Sequence, residues 1–135
     1  MTKTKVYKLN DFITNKMEAR QLIEATRTLM VEYFGLDIEI IVNNTMNCRG
    51  KLNIFEIKDG IVSRFGNIEI KTSGSQTYKD LIKTIIHEFV HINFPNCHSS
   101  IKKDNLPGED QKHYTMTEQL TKLTIINLKN SGILI

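Results

Sequence analysis

The sequence predicts an α+β domain with elements in the order α-β-β-β-β-α-α, and three observations carry that prediction. Apolar residues recur at helical spacing near the N-terminus and again in the last third of the chain. Between those segments lie short alternating runs joined by glycine-containing two-residue turns. The hydrophobic share of 40% over 135 residues is that of a globular chain, long enough for one domain with its own core and too short for two. A single domain over residues 1–135 is therefore expected.

The first helix is expected from about Lys16 to Phe34. Met17, Leu22, Ile23, Leu29, Met30, Tyr33 and Phe34 form its apolar face, with Glu18, Arg20, Glu24 and Arg27 mostly off it. Gly35 is its stop signal. Leu36 to Val42 reads as a strand with Ile38, Ile40 and Val42 on one side, and 43–50 reads as a loop. Leu52 to Lys58 and Ile61 to Phe65 flank Asp59-Gly60, a strong hairpin signal. Gly66-Asn67 reads as a second tight turn, leading to a fourth strand, Ile68 to Lys71. After a polar link, a helix is expected from about Tyr78 to Phe94. Thr77 and Asp80 form a capping box at its start, and Pro95 ends it. Asn96 to Lys112, containing Pro107-Gly108, reads as a long polar loop. A last helix, about Met116 to Asn130, carries Leu120, Leu123, Ile126 and Leu128.

Composition narrows the function classes. The net charge is +3, and the lysines are scattered, Lys3, Lys5 and Lys8 reading as a solvated arm. Without a dense basic tract interleaved with aromatics, nucleic-acid binding has little support. Cys48 and Cys97 are far apart, which excludes a cysteine-rich zinc site and a disulfide framework. The first residues lack the apolar stretch of a signal segment, and no window has the length of a membrane span. A cytoplasmic protein with reduced thiols and no membrane partner is the expectation.

One segment carries chemistry. His87-Glu88-Phe89-Val90-His91 is an H-E-x-x-H run inside the helical stretch. Histidines four apart share a helix face, so both imidazoles can reach one metal ion, and Glu88 stands beside them as a general base. Three fixed positions match by chance often enough that a solvated His-Glu-His face or satisfied core histidines are the bland alternatives. The surrounding apolar band of Leu81, Ile82, Ile85, Ile86, Phe89 and Val90 favours a metal, because buried histidines need a partner.

The motif helix, following a sheet meander and preceding a final helix, resembles the zincin metallopeptidases over about Ile54 to Leu128. It is a match of pattern rather than of close sequence. The resemblance implies a zincin-like fold and one zinc ion per chain. It also implies a protein or peptide substrate laid as an added strand along the rim strand before the motif helix, here Ile68-Glu69-Ile70-Lys71. An ordinary edge strand blunted by Glu69 and Lys71 is the plainer reading of that segment.

Catalytic zinc takes three protein ligands and leaves one position open. The metzincin spacing fails, because its positions fall on Phe94 and Cys97 and His98 misses by one. The gluzincin and minigluzincin pattern takes a glutamate from the next helix, which Glu118 matches. The SprT-like pattern takes a histidine beyond a variable loop, which would be His113 or, with less support, His98. Glu118 is favoured because a ligand on a rigid element is better placed than one on a loop. Against it, Thr115-Met116-Thr117-Glu118 is itself a capping box. With Glu118 as ligand, His113 and Tyr114 become candidates to polarise the substrate carbonyl or steady the oxyanion. Asp80, on the face of the motif histidines, is a candidate to orient a ligand but is better explained by its cap.

The expectation is a compact zinc-dependent peptidase with zinc on His87, His91 and Glu118, and Glu88 as general base. The reading from another class is a non-catalytic, zinc-containing binding or regulatory protein of phage or mobile-element origin that keeps the fold. An intact Glu88 speaks against it, since a structural site has no use for a general base. An SprT-like enzyme acting on DNA-bound proteins would need a nucleic-acid surface that the charge pattern does not offer.

Overall fold

A computed structural model describes residues 6–14, 19–93 and 108–135. Lys3, Lys5, Met17 and the 94–107 stretch with Phe94, Pro95, Cys97 and His98 lie outside the described residues. The elements run α1 (Arg20–Phe34), β1 (Ile40–Val42), β2 (Gly50–Lys58), β3 (Ile61–Ile70), α2 (Tyr78–Val90) and α3 (Gly108–Asn130). Three helices with one small mixed sheet make an α+β fold, as the sequence predicts.

The helix α2 is the centre of the molecule. Leu81, Ile82, Ile85, Ile86, Phe89 and Val90 are all fully buried. They pack among Leu22, Ile23 and Met30 of α1, Ile68 and Ile70 of β3, and Leu120 and Leu128 of α3. Removing such side chains from water stabilises the fold by about 1.5–3 kcal/mol each. The Thr77–Asp80 capping box forms as predicted and fixes where α2 begins. Gly35 ends α1 in the left-handed conformation at φ 71°, its N–H on the Val31 carbonyl. Residues 6–14 tie the chain together, with Tyr7 N–H donating to Ile133 O and Ile13 N–H to Gln76 O, both at 2.8 Å.

The sheet corrects the sequence reading in two respects. It has three strands rather than four, in the order β1-β3-β2, because residues 61–70 run as one strand through Gly66-Asn67. The pair that resembles a turn is explained by packing. A Cβ at Gly66 would sit 3.0 Å from the ring of Phe55, and Asn67 Oδ1 accepts from Asn53 Nδ2 at 2.6 Å. Glycine there lets an aromatic ring lie over the strand. Asp59-Gly60 is a true turn, with φ of 53° and 75°, the positive pair that a two-residue hairpin needs.

The second correction concerns the rim. Ile68 to Ile70 pairs with β1 on one side, in parallel register Ile40↔Ile68, and with β2 on the other, antiparallel at Leu52↔Ile68. The Ile68–Lys71 segment is thus central and cannot accept an added strand; among the described residues the sheet edges are β1 and β2. The first strand is also shorter than expected, with Ile38 buried ahead of it and only 40–42 in the ladder.

The last helix begins at Gly108, well before the expected Met116, so His113 lies inside it rather than on a loop. Pro107-Gly108 reads as a turn, and Gln111 and Lys112 have no apolar period to announce a helix. Among the described residues no helix is long and apolar enough to cross a membrane.

Candidate metal centre

The run from Ile85 to Val90 is helical because its apolar residues lock one face into the core, and that places His87 and His91 one turn apart at the other side. The helix ends at Val90, yet His91 keeps helical dihedrals and its N–H donates to His87 O, so the one-turn relation survives. The two Nε2 atoms stand 3.1 Å apart. Donors about 2.0–2.1 Å from one ion in tetrahedral array would be separated by roughly 3.3 Å, so this pair is spaced for a shared metal ion.

The third member comes from α3. His113 is fully buried, and its ring centroid lies 4.5 Å from that of His87 and 4.3 Å from that of His91. One donor atom from each of the three imidazoles falls within 4.8 Å of the others. His113 Nε2 is 3.4 Å from His87 O. Thr117 Oγ1 donates to His113 O at 2.8 Å, bracing this turn of α3.

Glu118, the expected third ligand, is not a member of this three-histidine cluster. It lies more than a turn further along α3 and forms an ion pair with Lys83 of α2, Oε1 to Nζ 2.5 Å. The capping role is equally ruled out, because Glu118 sits in the middle of α3 and not at its start. Tyr114 is half-buried at the position after His113.

The general-base candidate lies in the same wall. Glu88 is buried, with Oε2 3.9 Å from His87 Nε2. Burial pushes its carboxyl up to about 7, opposed only by a hydrogen bond from the Leu52 backbone. Burial, followed by the neighbouring His91 and His113 and by Lys83, pulls His87 down to about 3. All of this favours a neutral imidazole at His87, the form that binds a metal.

A cleft of about 310 Å³ opens beside Glu88. From the β2 side come Cys48, Arg49 and Gly50; from α2 come Asp80, Lys83, Thr84, His87 and Glu88. Gly50 permits the close approach of strand and helix, since a Cβ there would lie 2.7 Å from Thr84 Cγ2 and 3.0 Å from Glu88 Cγ. Lys71 N–H donates to Arg49 O, so Arg49 turns its main chain toward β3. By the alternation of an antiparallel ladder, Gly50 and Leu52 turn theirs to the free edge, where the Leu52 N–H meets Glu88.

Sequence reasoning missed Gly50, Leu52 and Lys83. The Asn-Cys-Arg-Gly stretch carries no signal beyond that of a loop, and only the packing of β2 on α2 reveals its role. No protein-family model, no curated protein and no solved structure matches the chain.

Proposed function

We propose that this protein is a metal-dependent peptidase with the metal on His87, His91 and His113 and Glu88 as general base. The observation that carries the reading is a buried carboxyl beside a three-imidazole cluster, with Glu88 and His87 reaching the wall of an open cleft. The donor set fits zinc, because three imidazole nitrogens are the ligand number of a catalytic site, which keeps a fourth position for water, whereas a structural site is closed by four protein ligands. Such a set follows the SprT-like variant of the H-E-x-x-H pattern rather than the gluzincin one.

When bound, zinc would supply a Lewis acid that polarises water and the scissile carbonyl. The rest falls to the chain. Glu88 takes a proton from the attacking water on its carboxylate and returns it to the departing amine, and a carboxyl near neutrality is suited to both transfers. The Leu52 N–H holds that carboxyl in place. With the Leu52 N–H on Glu88 and the Gly50 carbonyl accepting from Cys48 Sγ, the Gly50 N–H and the Leu52 carbonyl are the main-chain groups of this β2 edge left to pair with an extended peptide, the role expected of Ile68–Lys71. Tyr114 is the remaining candidate to steady the oxyanion.

Cleavage of an unstructured protein such as casein by zinc-loaded protein tests the proposal. Activity should vanish on chelation and in Glu88→Gln; undiminished cleavage by Glu88→Gln would sink it.

A further inference from the structure

The cleft has a charged end remote from the histidines. Asp80 and His87 are seven residues apart on α2, so about 10 Å of helix separates them. Arg49 faces Asp80 across that end, with Nη1 3.7 Å from Oδ1. This is beyond hydrogen-bond distance, and the other Asp80 oxygen is committed to the Thr77 N–H at 3.0 Å. The guanidinium is therefore held in position by a carboxylate that does not saturate its fork. Its side chain is 51% exposed and borders the cleft. Lys83 adds positive potential from the opposite wall while staying bound to Glu118.

We propose that Arg49 is the specificity-determining residue of this cleft, receiving a carboxylate carried by the peptide two or three residues from the bond that is cut. The inference rests on the peptidase reading above. An extended peptide rises about 3.3 Å per residue, so the 10 Å from His87 to the level of Asp80 corresponds to roughly three residues. An extended peptide laid against the Leu52 carbonyl and the Gly50 N–H runs out at Arg49. A guanidinium fork takes a carboxylate in bidentate fashion, which neutral side chains cannot imitate. The carboxylate can be an acidic side chain or the peptide's own C-terminus.

The test uses blocked alanine hexapeptides with one Glu or one Gln moved through the positions, and a second set ending in a free or amidated carboxyl. Binding is measured by calorimetry on zinc-loaded Glu88→Gln, and cleavage on the otherwise native protein, each with and without Arg49→Gln. A Glu-over-Gln preference of about tenfold or more at one position, lost in Arg49→Gln, assigns a side-chain carboxylate. A free-over-amidated preference lost in the same variant assigns the C-terminus. Equal binding of acidic and neutral peptides, or a preference that survives Arg49→Gln, overturns the proposal. Carboxylate-dependent binding without any cleavage leaves Arg49 standing and removes the peptidase reading. Arg49→Gln changes a half-exposed side chain, and an unchanged melting temperature confirms that it folds.

Discussion

His113 Nε2 lies 3.4 Å from the carbonyl oxygen of His87, which links the third imidazole to the backbone of the motif helix. A carbonyl can only accept, so the tautomer that makes this contact is the one with its proton on Nε2 and its lone pair on Nδ1. The same contact fixes the ring orientation, as the outer partners of metal-bound histidines generally do. Loss of one of three donors should be far more costly to affinity than loss of a nearby ion pair. His113→Ala should weaken zinc binding at least 100-fold, measured by competition with a chromophoric chelator, and His87→Ala and His91→Ala should do the same. Full zinc occupancy in His113→Ala would remove α3 from the site.

Glu118→Ala is the matched control. Its partner Lys83 is 47% exposed and Glu118 33%, so the pair is only partly shielded from water. Such pairs contribute about 0–1 kcal/mol. Chemical denaturation should show a loss within that range, and metal analysis should still find one zinc per chain. Loss of zinc in this variant would restore the glutamate to the coordination sphere.

The site and fold were legible in the sequence to different depths for physical reasons. The start and cap of the motif helix match the sequence reading, because its period and its Thr77–Asp80 box are local properties, while its end at Val90 falls short of the expected Phe94. Gly66-Asn67 misled because a glycine beneath an aromatic ring and a glycine in a turn look alike until Phe55 is placed over it. Glu118 misled because choosing between two residues of one helix needs that helix's start, and Gly108 to Lys112 offer no apolar period. With α3 beginning at Gly108, His113 is held on a rigid element just as Glu118 is. The edge strand could not be found at all from local pattern, since strand order is decided by the parallel pairing of β1 with β3.

Glu88 and His87 should give the metal-free protein opposing responses to pH. Burial raises Glu88 from 4.5 to about 7, so the native state holds its proton more tightly than the unfolded chain. The stability this contributes is complete below about pH 4.5 and is lost as pH rises through 7. Burial and its neighbouring histidines lower His87 from 6.5 to about 3, so its contribution is complete above about pH 6.5 and lost as pH falls toward 3. Glu88→Gln isolates the first effect, because the amide keeps the shape and an acceptor for the Leu52 N–H without the charge. In thermal melts with chelator present, Glu88→Gln should be more stable than the native protein at pH 8, by up to about 3 kcal/mol. The difference should fade below pH 5. Added zinc should shrink it, since a nearby cation favours the carboxylate. A difference that is the same at pH 5 and pH 8 would refute the buried, proton-holding carboxyl.

Gly50 makes the sharpest case for how the strand serves the site. It has no unusual backbone dihedral, so its requirement is for space alone. A Cβ there would meet Thr84 Cγ2 at 2.7 Å, Glu88 Cγ at 3.0 Å and Glu88 Oε2 at 3.2 Å. Two of those atoms belong to Glu88, and the third stands one turn before it on α2. Gly50→Ala should push β2 away from α2 and cost about 1–3 kcal/mol, the usual range for overpacking. Zinc should stay bound, because none of the three histidines is touched, while turnover should fall as Glu88 is displaced from the attacking water. Adding Thr84→Ser removes the methyl at the shortest contact. The double variant should recover most of the lost stability in a denaturant titration but little of the lost turnover, since the contacts with Glu88 remain. Recovery of both in step would show that Gly50 acts through packing alone and that the position of Glu88 tolerates the shift.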